Sequence, residues 1–188
     1  MAISPPALSC HHATTPAQAE IMFYIGNMDL PPISGFFGFL GACFAAAMSG
    51  AVFKPGAWYE GLAKPPWRPP NWLFGPAWAL LFLMIATAGW LVWGRAGFAG
   101  ASLALSIYGV QLLLNAAWSG FFFGMRRMDL ALADLCLLWL SILGCIITFW
   151  PIDERAAWLM VPYLAWVSFA GLLNWTMWRM NPNAARQA

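Results

Sequence analysis

Residues 71–93 read NWLFGPAWALLFLMIATAGWLVW, 23 positions without one Asp, Glu, Lys or Arg. At about 1.5 Å rise per residue, a helix of that length spans a hydrocarbon core of about 30 Å. A membrane-crossing strand would be shorter and would alternate in polarity, which this stretch does not. Backbone N–H and C=O groups have no water to bond in lipid, so a run this long must be helical and pair them internally.

Working outward from it, four more apolar stretches appear, at Ile33–Phe53, Phe98–Phe123, Asp129–Trp150 and Ala156–Arg179. With Asn71–Trp93 they predict an all-α integral membrane protein, a bundle of five transmembrane helices spanning residues 29–181. Composition agrees. Of 188 residues 62% are hydrophobic and 9% charged, against roughly 25% charged in an ordinary soluble domain. Too few charges are present to cover a surface in water. The net charge of +2 comes without any basic run, so no nucleic-acid partner is expected.

The ends read differently. Residues 1–28 contain Pro5, Pro6, Pro16, His11 and His12 without Lys, Arg or a sustained apolar core, so they lack a secretory signal pattern. They read as a disordered tail, or as an extension upstream of a start at Met22 or Met28; residues 182–188 form a short C-terminal tail. The cysteines, Cys10, Cys43, Cys136 and Cys145, make no CxxC and no metal spacing, and in apolar segments they read as packing residues. No metal site is expected.

Cations set the orientation. Five spans place the first loop, the third loop and the C-terminus on one side, with Lys54, Lys64, Arg68, Arg126, Arg127, Arg179 and Arg186. Only Arg95 and Arg155 fall on the other. The positive-inside rule puts the richer side in the cytoplasm. The first span is rich in small residues (Gly35, Gly38, Gly41, Ala45, Ala46, Ser49, Gly50), and the third begins with Gly97, Gly100, Ala101 and Ala104. Such residues let helices approach closely, either within the bundle or between copies.

Thirteen tryptophans are the strongest anomaly. Trp90, Trp93, Trp150, Trp158, Trp175 and Trp178 lie near span ends, where an aromatic belt accounts for them. Trp78 and Trp166 lie deeper, and Trp118 and Trp139 are intermediate; a deep indole N–H needs a partner or a cavity. Gln111, Asn115 and Ser119 recur every four residues on the third span and share one face, bordered by Trp118. That face should point inward. Gln111 reads equally well as an interhelical hydrogen-bonding residue, whereas Asn115 reads toward a pocket. On the fifth span Pro162, Trp166, Ala170 and Asn174 make a second face, with Tyr163 and Trp178 alongside. Asp134 reads as a paired or partly wet structural acid.

The first loop begins the run KPGAWYEGLAKPPWRPPNWLFGPAW, residues 54–78. Pro65, Pro66, Pro69 and Pro70 forbid a regular helix there. Trp58, Tyr59 and Trp67 interleave with Lys54, Lys64 and Arg68, a combination suited to a planar aromatic ligand bearing carboxylates. An aromatic loop resting on the membrane surface would look the same. No His lies in any span, which excludes His-ligated haem within the bundle, and no HExxH, phosphate-cradling Gly loop or GxSxG occurs. The Leu/Val–Tyr–Lys/Arg sterol pattern fails after Tyr163.

These motifs, WYEGLAKPPWRPPNWLFGPAW, then LLLNAAWSGFFFGMRR, then VPYLAW ending in LLNW, resemble the tryptophan-rich sensory protein (TspO/MBR) family. That family includes translocator protein, or peripheral-type benzodiazepine receptor. The resemblance covers about residues 28–181. It implies a five-helix fold, usually a homodimer, with an interhelical pocket under a lid and a porphyrin such as protoporphyrin IX as ligand rather than resident cofactor. The matched pocket residues are Tyr59, Trp67, Trp78, Asn115, Trp118, Trp166 and Ala170, with Lys54, Lys64 and Arg68 as a carboxylate-binding lid. Trp78 and Trp166 match the pair associated with porphyrin breakdown. Three functions are therefore carried forward: a porphyrin-binding sensor, a carrier of porphyrin or another amphiphile, and a light- and oxygen-dependent porphyrin-degrading enzyme. No nucleophile, metal cluster or acid–base pair favours ordinary enzymology.

Overall fold

The computed structural model describes residues 30–184. The predicted tail with His11, His12, Cys10, Met22 and Met28, and the cation Arg186, lie outside the described residues. Six α-helices follow one another: α1 Ile33–Val52, α2 Ala57–Glu60, α3 Asn71–Gly100, α4 Ser102–Ser119, α5 Met128–Phe149 and α6 Glu154–Met180. A π-helical turn, Gly120–Gly124, extends α4. No strand occurs among the described residues.

The helix ends have local causes. α1 stops at Val52 because Pro55 disfavours helical conformation at Lys54. α3 starts immediately after Pro69-Pro70. Asp153 caps α6, its carboxylate accepting from the backbone N–H groups of Arg155 (3.0 Å) and Ala156 (3.3 Å). The prolines of the first loop confine its helix to the four residues of α2, and a turn at Pro65–Arg68 follows.

The second and third spans part between Trp93 and Phe98, where the sequence placed their ends. The regular helix of α3 passes Trp93 by three residues and is broken at Gly97, so Phe98–Gly100 lie beyond a kink. Arg95 is accommodated because its guanidinium bonds the Asp153 carboxylate at 3.3 Å. The chain turns at Gly97, whose φ of +64° is open to glycine and strained for other residues. A single residue, Ala101, then leads into α4.

The long helices close a ring in the order α1, α3, α6, α5, α4, with α4 returning to α1. Four of them, α1, α3, α5 and α6, are each long and apolar enough to cross a membrane. The third span, α4, is 18 residues long. Its polar residues Gln111, Asn115 and Ser119 are all buried, so it presents its amides to its neighbours rather than to lipid. Gly35 on α1 admits the Trp93 ring, and Gly94 on α3 admits Pro31, just before α1. The small residues opening α4 work inside the bundle too, since Ala101 and Ala104 are buried. Trp90 departs from the belt reading. It is buried, and its indole donates to the Pro32 carbonyl at 3.0 Å. Trp150, Trp158, Trp175 and Trp178 are exposed.

Candidate functional site

Between the long helices lies a cavity of about 1150 Å³, walled by α1, α3, α4, α5 and α6 and met on the loop side by Pro55 and Tyr59. Its lining is predominantly apolar. Of the sequence-derived pocket residues, Tyr59, Trp78, Asn115, Trp118, Trp166 and Ala170 all line it. Four-residue spacing on α6 brings Trp166, Ala170 and Asn174 to the same wall. Trp78 and Trp166 meet edge to face, with centroids 6.4 Å apart and planes at 82°. Trp78 also meets the Tyr163 ring at 6.3 Å.

Asn115 is held in place by Tyr163. Its amide donates to the Tyr163 hydroxyl at 2.7 Å, and Tyr163 is fully buried. The bond joins α4 to α6 across the bundle and fixes the orientation of the amide at the cavity wall. Gln111, which the sequence offered as an interhelical hydrogen-bonding residue, is fully buried, and neither atom of its amide finds a protein partner among the described residues. Asp134 is buried on α5, and its Oδ2 has no partner there either.

The π-helical turn shapes the loop side of the cavity. Met125 N–H donates to Gly120 C=O at 2.7 Å, the i to i+5 bond that adds a residue to the turn. Gly124 lets the Phe53 ring approach the turn, since a Cβ there would lie 2.9 Å from that ring. The turn stacks Phe122 on Trp118 at 5.1 Å and sets Phe123 across both. Tyr59 rests on Phe122 and Phe123 at 6.3 and 5.5 Å. This aromatic seat was not read from the sequence, although GFFFG between two spans could have suggested it.

The cations of the first loop are placed differently from the aromatic residues. Lys64 directs its ammonium at the carbonyls of Glu60 (2.9 Å) and Leu62 (3.2 Å), and it lies 4.8 Å over the Tyr59 ring. Arg68 donates to the Tyr59 hydroxyl at 3.2 Å. Trp67 packs edge-on against Phe169 at 6.0 Å. None of Lys54, Lys64, Arg68 and Trp67 is part of the cavity lining. Lys54 makes no hydrogen bond or ion pair among the described residues, and it adjoins Pro55, which does line the cavity. On the opposite side of the molecule, Asp153 gathers both Arg95 and Arg155, at 3.3 and 2.7 Å. Burial raises the Asp153 pKa, but the hydrogen bonds and charge of Arg155, with Arg95, outweigh burial and hold it below the ordinary carboxylate value.

The TspO/MBR family model matches residues 38–179. Protein CrtK of Rhodobacter capsulatus is 42% identical over 142 residues, covering 75% of this chain and 89% of that protein. The tryptophan-rich protein TspO of Chlorobaculum tepidum is 41% identical over 147 residues, 76% of this chain and 93% of its own. Human translocator protein is 38% identical over 156 residues, 80% and 92% respectively. The matched span takes in α3 to α5 whole and most of α1 and α6, together with every cavity residue named above. With its long apolar helices and the tryptophan-lined cavity between them, this chain is an integral membrane protein of the TspO/MBR family.

Proposed function

We propose that the cavity binds a flat, largely apolar ligand of the porphyrin class, and that the protein senses such a ligand in the membrane. The observation that carries this reading is the cavity itself. Drug-sized ligands occupy pockets of about 300–1,000 Å³, and about 1150 Å³ walled by Trp78, Trp118 and Trp166 suits a larger planar molecule. Ala170, between Trp166 and Asn174, keeps one wall low enough for a ring to lie against it.

The test is titration of purified protein with protoporphyrin IX in darkness, following quenching of tryptophan fluorescence. Saturable quenching that weakens with Trp78→Ala supports the reading. Quenching that is linear in porphyrin and unaffected by any cavity substitution refutes it.

The edge-to-face contact of Trp78 and Trp166 favours a second reading, light- and oxygen-dependent breakdown of the bound porphyrin. Trp78→Phe with Trp166→Phe should then keep most binding and abolish new absorbing products under light. Equal breakdown of free porphyrin in detergent would remove the enzymatic reading.

A further inference from the structure

One side chain ties the lid loop to the end of α6. Asn181, the first residue after α6, donates from Nδ2 to the Ala63 carbonyl at 2.9 Å and accepts at Oδ1 from the Ala63 N–H, also at 2.9 Å. The same Nδ2 donates to the Met177 carbonyl at 2.7 Å, which fixes the amide on its own helix. A side-chain amide here pairs both backbone groups of one residue, donor and acceptor together, as a neighbouring strand would. Ala63 needs such a partner because the loop continues into Lys64-Pro65-Pro66, where the prolines have no N–H with which to build a local turn. A second contact runs from the Trp58 indole to the Ala184 carbonyl at 3.4 Å.

The two Ala63 bonds are exposed to solvent. Water therefore competes for them, and breaking them is far cheaper than opening the aromatic seat under Tyr59. On its inner side the same loop presents Pro55 and Tyr59 to the cavity. We infer that Asn181 is a positioning residue for the lid: it governs how fast a ligand enters and leaves, and not which ligand binds. The inference rests on the cavity-binding reading above.

The experiment has two arms, on wild type, Asn181→Ala and Asn181→Asp in nanodiscs. The first arm follows amide hydrogen exchange without ligand. Asn181→Ala should speed exchange at Ala63 about tenfold and leave α6 before Met177 unchanged. Asn181→Asp keeps an acceptor for the Ala63 N–H and should be intermediate. The second arm is stopped-flow binding of protoporphyrin IX. Association and dissociation rates should rise together in Asn181→Ala, with the equilibrium affinity moving by less than either rate. Unchanged lid exchange overturns the inference, whatever the ligand does. So does a loss of affinity carried by dissociation alone, which would mean that Asn181 shapes the cavity. If wild type fails to bind protoporphyrin IX, the binding reading falls, and the exchange arm still decides the role of Asn181.

Discussion

Replacing Lys64 and Arg68 together by alanine tests whether the lid cations read a ligand's charge or hold the lid in shape. The sequence alone favoured the first, since porphyrin propionates are anionic. The structure gives both side chains intramolecular work. Lys64 bonds two carbonyls of its own loop and covers the Tyr59 ring, and Arg68 holds the Tyr59 hydroxyl. Each such hydrogen bond contributes about 0.5–1.5 kcal/mol net, and an exposed cation–π contact about 0.5–1 kcal/mol. Allowing for exposure, the double substitution should release Tyr59 from its seat by about 2 kcal/mol, roughly a thirtyfold change in lid occupancy. Protoporphyrin IX and its uncharged dimethyl ester should therefore lose affinity by similar factors, at low and at high salt. Lys54→Ala should behave differently, weakening only the free acid, by a few-fold at low salt, because an exposed charge pair is worth less than about 1 kcal/mol and is screened. The assay is parallel fluorescence titration with the two ligands at two ionic strengths. A loss confined to the free acid in the Lys64/Arg68 variant would refute this account and restore the propionate-reading role.

Gly89→Ala would place a methyl group 2.7 Å from a Phe39 ring carbon and 2.9 Å from Tyr108; overpacking of this kind costs about 1–3 kcal/mol. The melting temperature in detergent should fall, whereas Gly38→Ala, where nothing lies within 4 Å, should leave it unchanged. Because the Asp153 pKa is lower in the folded protein, its contribution to stability is complete above the ordinary value of 3.8 and is lost as pH falls toward the folded value. Melting temperature should drop in that acid range, and less so in Asp153→Asn, which starts from a lower stability. For topology, a cysteine at Met125 in a background without native cysteines should resist an impermeant maleimide in intact cells, while one at Pro151 should react. The reverse pattern would contradict the orientation set by the cations.

Span number, span limits to within a few residues and the inward face of α4 follow from sequence alone. Lipid offers no hydrogen bonds, so the length of a charge-free run and the spacing of its few amides leave little freedom. Trp78, Trp118, Trp166 and Ala170 were legible for the same reason, since deep indoles and small residues at helical spacing mark a wall. The counter-charge of Arg95 was not legible, because Asp153 lies 58 residues away in the chain. Trp90 looked like belt until Pro32 supplied its acceptor. The partners of Lys64 and Arg68, the π-helical seat under Tyr59 and the hold of Asn181 on Ala63 were equally out of reach. A sequence records which groups need partners, and only the tertiary fold decides which distant residue meets that need.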